Sequence, residues 1–441
     1  MSISGIVFAL CLFAAGGLFA VKMRKIVRNI RLGRDELIND RPGERWATMA
    51  RVALGQGKMV ARPIAGILHV VVYAGFVIIN IELLEIVIDG IFGTHRVFAF
   101  LGPLYDVLIA SFEVLALGVF VACAIFLVRR NVLRLKRFWM KEMTAWPRSD
   151  ANIILVAEII LMGAFLKMNA TDQVLAMRGV DPYVAVGSYP VSQFLRPFFE
   201  GYSDGALMTF ERMFWWVHIL GIFVFLNYIP YSKHFHILLA FPNTWYSKLK
   251  PSTQVANMDR VTQEVKLMMD PSADPYAAPP ADAPPPERFG AKDVFDLSWK
   301  SLMDAYSCTE CGRCTSECPA NLTGKLLSPR KVMMDTRDRL EEVGRNIDKN
   351  GSFQDDGRSL HDRISEEELW ACTTCNACTE ACPVNIDPVG IIMDMRRYLV
   401  MEESRTRPAL TAMFNNVENN GAPWPFAQSE QLRWAEEEGY R

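Results

Sequence analysis

Long apolar stretches dominate the first 250 residues of the chain. Five of them reach, or nearly reach, the roughly 20 residues that a helix needs to cross a bilayer. They run over Ile3–Val21, Ile64–Ile88, Leu101–Val128, Ile153–Leu166 and Met208–Ile229. The fourth is the shortest, with an extension to Ala151 or to Met168 as the alternative. Because a backbone in lipid must satisfy its own hydrogen bonds, these stretches predict five transmembrane helices.

The pattern changes beyond residue 250. Ser252–Met269 predicts an exposed helix, and Pro271–Pro286 is so rich in Pro and Ala that it predicts a stiff, extended linker. Two more helices are predicted, one from Ser328 through Val343 and one over Pro388–Met401, each with Pro near its start. The predicted fold class is therefore all-α. The predicted domains are a membrane domain over 1–250, a linker over 251–290, a helical domain over 291–405 and a partner-docking tail over 406–441.

Basic residues are distributed unevenly between the two sides of the predicted membrane. The segments between spans one and two and between spans three and four are rich in Lys and Arg, whereas the other side offers only Arg96, Arg178 and Arg196. The positive-inside rule then places the N-terminus outside the cytoplasmic membrane and everything after span five in the cytoplasm. The first stretch has no basic leader and no A-x-A-type cleavage site, which predicts a retained helix. The net charge of −2 gives no nucleic-acid signal.

Eight of the ten cysteines fall into two matching runs that each read C-x2-C-x2-C-x3-C-P. This spacing is typical of [4Fe–4S] binding, and in two-cluster ferredoxins the fourth cysteine of each run ligates the other cluster. A zinc site would use pairs of C-x2-C, and disulfides need an oxidising compartment. The sequence therefore predicts two clusters with crossed ligands. One is held by Cys308, Cys311, Cys314 and Cys382, and the other by Cys372, Cys375, Cys378 and Cys318.

The two remaining cysteines, Cys11 and Cys123, lie in apolar stretches and are predicted to be buried bystanders.

Four of the six histidines lie in or next to spans two and five. An imidazole in lipid is costly, and neutral imidazoles on facing helices are how a helical bundle holds b-type haem. His69 and His218 are therefore the predicted axial pair, with the small residues Ala65, Gly66 and Gly75 letting a porphyrin approach span two closely. The alternative left open is that each histidine only bonds a neighbouring helix.

The sequence also leaves open whether the chain binds a second haem. His218 and His236 are eighteen residues apart, which is about 27 Å on a straight helix, although Pro230 can bend or end that helix. Met59 lies ten residues before His69, about 15 Å along a helix, and is the candidate ligand opposite His236. His234 is the alternative to His236.

Acidic side chains accompany the predicted spans at Glu82, Glu85, Glu113 and Glu158. Glu82 and Glu85, with His95, are candidates for moving protons at a quinone site, because quinone chemistry couples protons to electrons. The alternative is that these carboxylates lie just outside lipid or pair with Arg96. His361 is predicted to be a surface or quinone-site residue.

Residues 1 to about 245 resemble the haem-b subunit of the nitrate reductase gamma family. The resemblance rests on five helices with histidines on helices two and five, and on the ten- and eighteen-residue steps between ligand positions. It implies b-type haem and a quinone substrate. The chain departs from the family at Met59, where the family has histidine.

Residues 290–441 resemble the iron–sulfur subunit of heterodisulfide reductases. Both cysteine runs match, as do Thr323–Lys331 and the tail segment Asn415–Trp424. The fusion resembles membrane oxidoreductases that link electron-transfer flavoprotein, or a thiol/disulfide-type module, to menaquinone. The resemblance implies a separate cytoplasmic iron–sulfur subunit with a Cys-Cys-Gly domain, because this chain has no Cys-Cys-Gly element and no GxGxxG flavin motif.

The predicted function is electron transfer between a cytoplasmic redox partner and the menaquinone pool, in either direction, with substrate chemistry on a partner chain. Two alternatives remain from the sequence. One is a cytochrome b/ferredoxin subunit that delivers quinol electrons to a cytoplasmic nitrate- or sulfite-type reductase. The other is a non-redox membrane anchor with structural metal.

Overall fold

The computed structural model describes residues 3–184, 186–249, 254–272, 288–430 and 432–440. Every regular element in those ranges is helical, which confirms the predicted all-α class. Most of the predicted Pro271–Pro286 linker lies outside the described residues. The α-helices are α1 Ile3–Ile30, α2 Pro42–Met49, α3 Pro63–Phe92, α4 Pro103–Leu127, α5 Trp146–Met177, α6 Asp204–Tyr228, α7 His236–Trp245, α8 Asp259–Met269, α9 Trp299–Ser307, α10 Arg313–Glu317, α11 Pro319–Leu322, α12 Pro329–Asn350, α13 Glu366–Ala371, α14 Ala377–Ala381, α15 Pro388–Met401, α16 Pro408–Asn420 and α17 Arg433–Glu437.

Five helices of the described chain, α1, α3, α4, α5 and α6, are long and apolar enough to cross a membrane, as predicted. The prediction for α5 was too short, because its polar ends continue the helix well beyond Ile153–Leu166. Asp150 accepts hydrogen bonds from the Tyr228 hydroxyl at 2.5 Å and the Lys233 backbone N–H at 3.0 Å. Polar side chains that find partners inside the protein do not have to end a helix at the lipid boundary.

α1 likewise extends beyond its predicted end at Val21. Lys22 lies 3.3 Å from Glu341 and Lys25 lies 2.8 Å from Asp348, both on α12. The basic end of the first membrane helix therefore contacts the cysteine-bearing domain directly.

Two large apolar cores occupy the described chain, and a small third cluster lies around Leu175 and Leu207. One fills the membrane bundle around Phe8, Phe112 and Phe165. The other fills the domain that carries the cysteine runs and also includes Ile26 and Phe235 from the membrane half. The domain is therefore packed onto one end of the bundle.

Close contacts in the short connections hold the domain at that end. Gly33, just after α1, is one such contact, because a Cβ there would lie 2.7 Å from the Leu297 carbonyl oxygen. Arg62, between spans one and two, lies 2.8 Å from Glu317. Glu142, between spans three and four, lies 2.6 Å from Arg330. The domain thus covers the end of the bundle that carries the two basic connections.

Candidate functional site

The two cysteine runs fold in the same way. In each, a residue with positive φ, Gly312 at 71° and Asn376 at 58°, precedes a one-turn helix, α10 or α14. The third cysteine lies in that helix, and the fourth follows it directly as the residue that ends it. α10 and α14 pack against each other, so the two runs face one another.

A small cavity between the runs is lined by Cys308, Cys311, Cys314 and Cys382, with Cys378 also at its wall. Cys382 therefore leaves its own run and joins the first three cysteines of the other. The remaining cysteines form a second neighbourhood, in which Cys372 interacts electrostatically with Cys318 and Cys375, and Cys378 with Cys372. This is the grouping that crossed ligation requires.

Four of the eight cysteines, Cys308, Cys318, Cys378 and Cys382, are buried, whereas Cys375 is exposed. Burial raises the pKa of Cys308 and of Cys382 to about 12, because the thiolate would lose its solvation. A thiolate at such a position needs a cationic partner at neutral pH, and iron supplies that charge on ligation. The residues present therefore fit iron–sulfur clusters. Cys123 is buried in the membrane bundle core, as predicted, whereas Cys11 is only partly buried and packs against that core.

A much larger cavity, of about 670 Å³, runs through the membrane bundle. Its size lies within the range of about 300–1,000 Å³ that is typical of ligand and cofactor sites. Its lining includes four of the predicted haem residues, His69, His218, His234 and His236, together with Met59. The same cavity also reaches Cys311 of the first cysteine run. One continuous space therefore joins the histidines to the cysteine-bearing domain.

Two of the histidines are oriented by backbone carbonyls. His218 Nδ1 lies 2.9 Å from the Leu161 carbonyl oxygen, and His236 Nδ1 lies 2.9 Å from that of Lys233. Because a carbonyl only accepts, each Nδ1 carries the proton and each Nε2 keeps its lone pair. An imidazole that ligates a metal through one ring nitrogen usually donates the N–H of its other ring nitrogen in this way.

The structure brings His69 next to His236, with ring centroids 6.3 Å apart and ring planes at 40°. Two imidazoles on one metal ion, each with a metal–nitrogen bond of about 2 Å, have ring centres about 6 Å apart. The pairing predicted from the sequence, His69 with His218, differs from this contact. α6 ends at Tyr228, and two 3-10 turns lead from it to His236. His218 and His236 are therefore not separated by a straight helix of about 27 Å. His234 lies 5.5 Å from His236, ring to ring.

Nδ1 of His69 is buried and has no hydrogen-bond partner in the described part of the chain. An unsatisfied buried imidazole nitrogen is costly, which keeps His69 a candidate ligand residue.

Two details expected from the sequence are wrong. Met59 lies in the turn before α3, which begins at Pro63, and not on the helix. The space at Gly66 is taken by the Met59 carbonyl oxygen, 2.7 Å from where a Cβ would be, and the space at Gly75 by the Val119 side chain at 2.6 Å. Gly66 therefore permits close packing of the protein against α3, whereas Gly75 and Ala65 also line the large cavity.

The carboxylates at the other end of the cavity are mostly paired. Glu85 accepts hydrogen bonds at 2.8 Å from the Phe98 backbone N–H and from the Tyr105 hydroxyl. Glu113 accepts from two backbone N–H groups, those of Val191 at 2.9 Å and Ser192 at 3.0 Å. Backbone and hydroxyl donors therefore hold both side chains in place.

Arg96 is the centre of this end. Its guanidinium lies 2.7 Å from Asp172 and 3.9 Å from Glu82. His95 Nε2 lies 3.2 Å from the other oxygen of Asp172. Glu82 lines the cavity, and its Oε2 is buried without a partner in the described residues. Glu158 lines the cavity too.

Sequence reasoning missed the ion pairs at the junction of the two domains. Glu310, inside the first cysteine run, lies 2.5 Å from Lys233 and 2.8 Å from Arg337. Lys233 also supplies the carbonyl that orients His236. Although burial opposes ionisation, these two cations lower the pKa of Glu310. An acidic residue between two cluster-type cysteines was the available signal.

His361 lies in the cysteine-bearing domain, half-buried, with Nε2 at 3.2 Å from the Ala291 carbonyl oxygen.

Comparison with known proteins agrees with the cysteine chemistry. Residues 307–386 match the 4Fe-4S dicluster domain family. The chain is 26% identical to "Probable iron-sulfur-binding oxidoreductase FadF" of Bacillus subtilis, over 95% of this chain and 59% of that protein. It is 26% identical to "EtfAB:quinone oxidoreductase" of Syntrophomonas wolfei, over 91% of this chain and 55% of that protein.

A third relative is "Probable membrane-anchored ferredoxin" of Chromohalobacter salexigens, 33% identical over 35% of this chain and 25% of that protein. No solved structure matches the chain. The chain spans less than two thirds of the length of the first two relatives. Its relatives are iron–sulfur oxidoreductases, and it combines a 4Fe-4S dicluster domain with five helices able to span a membrane.

Proposed function

We propose that this chain is a membrane electron-transfer subunit that works between a cytoplasmic redox partner and the quinone pool. Two [4Fe–4S] clusters and b-type haem, when bound, supply the one-electron carriers. The observation that carries the proposal is the single cavity that is lined by His69, His218 and His236 and also reaches Cys311.

The chain's own residues have distinct tasks in this proposal. Cys308, Cys311, Cys314 and Cys382 hold one cluster, and Cys372, Cys375, Cys378 and Cys318 hold the other. His69 and His236 hold a haem at the end of the cavity nearest Cys311, because their rings are 6.3 Å apart. His218, oriented by Leu161, is available to a second haem, with Met59 and His234 as the further candidate ligands.

The quinone site belongs at the opposite end of the cavity. Reduction of a quinone to a quinol consumes two electrons and two protons, so the site needs groups that exchange protons. Glu82 has a free carboxylate oxygen facing the cavity side of the Arg96–Asp172 pair. His95 contacts Asp172 from the loop between spans two and three. Glu85 is bonded to the same loop through Phe98 and positions it.

The cysteine-bearing domain faces the cytoplasm in this proposal, because it covers the end of the bundle with the basic connections. The name of one relative, "EtfAB:quinone oxidoreductase", supports an electron-transfer flavoprotein as the partner, and a Cys-Cys-Gly iron–sulfur subunit is the other candidate. α16 has no buried residue, and Trp424 after it is 47% exposed. The tail from 406 onward is therefore the proposed docking segment.

The decisive experiment is a dithionite-minus-air optical spectrum of the purified protein, with haem and non-haem iron measured on the same sample. We expect a reduced b-type α-band and about eight non-haem irons, four for each cluster. Clusters without a haem band would indicate a membrane-tethered ferredoxin and would rule out the proposed quinone function. A colourless protein would instead favour a structural anchor.

A further inference from the structure

Four arginines line the end of the large cavity next to Cys311 and are named here the arginine group. They come from three separate segments: the turn that follows α4, the 3-10 turn Lys136–Phe138 and the first cysteine run. The members are Arg129, Arg130, Arg137 and Arg313. Charged groups from three segments that meet at one cavity wall are not explained by the amphipathic pattern of any single helix.

The arginine group has no carboxylate of its own. Within the described ranges, none of the four forms an ion pair, in contrast to neighbouring Arg62, which lies 2.8 Å from Glu317. Arg313 donates only to backbone carbonyls, those of Lys58 at 2.8 Å and Met59 at 3.1 Å. The carboxylates that interact electrostatically with Arg130 are those of Glu310 and Asp150. Both already accept hydrogen bonds from Lys233.

Two members of the group also have unsatisfied nitrogen atoms. Nε and Nη2 of Arg130 and Nε of Arg137 are buried and have no acceptor among the described residues. Both guanidiniums lie against the ring of Phe138, at 4.4 and 4.7 Å from its centroid. The ring holds them at the cavity wall but accepts no conventional hydrogen bond from them.

Positive charge is in excess at this wall, although Glu310 and Cys311 also line it. Burial, together with the charges of Arg62, Arg313 and Arg129, lowers the pKa of Arg137 to about 10 against the opposite effect of Cys311. Arg313 is buried and the other three arginines are half-buried. Guanidinium nitrogens that lose water without gaining an acceptor are unfavourable, so the wall favours an anion from outside the described chain.

The shape of the site indicates which anion. Guanidinium groups bind carboxylates through two parallel hydrogen bonds. The cavity that the arginine group lines also holds His69 and His236, and Arg313 is close enough to act electrostatically on His69. Haem carries two propionate carboxylates at one edge of its ring.

We propose that the arginine group binds the propionate carboxylates of the haem held by His69 and His236, with Arg130 and Arg137 as the principal donors. This inference rests on the proposed function, because it requires haem in the cavity. It also specifies the orientation of the bound haem, whose propionate edge would face Cys311 and the cysteine-bearing domain.

The test is reconstitution of the haem-depleted full-length protein with either protohaem or its dimethyl ester, in which both carboxylates are blocked. The proteins compared are the wild type, the double variant Arg130→Gln/Arg137→Gln, and Arg134→Gln as a matched control. Arg134 lies in the same basic connection but stacks on Trp139 at 4.9 Å and is not part of the cavity wall. Haem affinity and midpoint potential are measured by optical titration.

We expect the wild type and Arg134→Gln to bind protohaem about tenfold or more tightly than the ester, as lost charge-assisted bonds predict. The double variant should bind both forms equally and have a lower midpoint potential with protohaem, because positive charge favours the reduced state. Discrimination that survives in the double variant would overturn the proposal.

Loss of bound phospholipid phosphate from the double variant, with haem discrimination unchanged, would assign the arginine group to lipid and also overturn the proposal. A wild type that binds neither haem form would overturn the proposed haem function itself, which separates that failure from failure of the arginine assignment.

Discussion

The two ends of the membrane cavity solve the problem of buried charge in opposite ways. At the end furthest from the cysteines, Arg96 is matched by Asp172 at 2.7 Å, and Glu85 and Glu113 accept backbone hydrogen bonds. At the end next to Cys311, Arg130 and Arg137 have buried N–H groups and no acceptor in the described chain. Apart from one oxygen of Glu82, the first end is satisfied by groups of the described chain, whereas the second still needs an acceptor for its buried N–H groups.

This difference separates a structural network from a binding site. A buried charge with its partners present stabilises one arrangement of the loops, and a buried charge without partners indicates a ligand. The one exception at the far end, the free Oε2 of Glu82, is for the same reason the best candidate there for contact with a substrate.

The largest effect is expected from removing a crossed cysteine at the cluster-side end. Cys382→Ala should lower the non-haem iron content from about eight to about four per protein and remove the cluster of the first run, because Cys382 lines the cavity with Cys308 and Cys311. Iron analysis with electron paramagnetic resonance on the reduced protein measures this. Cys318→Ala is the matched control and should remove the other cluster. Loss of the cluster of the second run in Cys382→Ala would contradict crossed ligation.

A haem-ligand series sharpens the contrast between the two ends. His69→Ala and His236→Ala should each lose the same haem, since their rings are 6.3 Å apart. His218→Ala should keep that haem, because its imidazole is held elsewhere, on the Leu161 carbonyl. Haem-to-protein ratios and low-temperature α-band spectra distinguish the outcomes. Joint loss of one haem in His69→Ala and His218→Ala, with His236→Ala unaffected, would restore the pairing predicted from the sequence.

Disruption of the Arg96 network at the far end of the cavity should lower the stability of the protein without loss of bound cofactor. Arg96→Gln removes the guanidinium beside the buried carboxylates of Asp172 and Glu82 and leaves Asp172 with His95 as its remaining partner, so we expect a loss of about 3–5 kcal/mol in the free energy of unfolding. Denaturation in detergent measures it. Arg196→Gln, which removes an exposed pair with Glu200 at 3.0 Å, is the control and should cost less than about 1 kcal/mol. Equal effects of the two variants would show that the far end is not a stabilising network.

The smallest effect is expected away from the cavity, at the contact between α1 and Asp348 of α12. Hydrogen bonds from Lys25 and Arg28 lower the pKa of Asp348, so its contribution to stability is present above the ordinary carboxyl pKa and is lost as the pH falls through the depressed value. Asp348→Asn should therefore cost less than about 1 kcal/mol at pH 7 and nothing in strong acid. A variant whose deficit persists at the lowest pH would assign the loss to packing instead of charge.

Local pattern predicted the parts of the fold that depend on neighbours along the chain. α15 occupies Pro388–Met401 as predicted, and five helices able to span a membrane are present. The ends of α5 were not predictable, because whether Asp150 ends a helix depends on Tyr228 and Lys233, which are far away in sequence.

By itself, the sequence determined the chemistry of the cysteine runs and the apolar length of the spans, since both are written in spacing and composition. Only the tertiary structure decided that His69 meets His236, because the turns around Pro230 redirect the chain after α6. The tertiary structure also decided which arginines have no carboxylate partner among the described residues. The sequence shows that a charge exists, but only the folded chain shows whether a partner lies within hydrogen-bond distance.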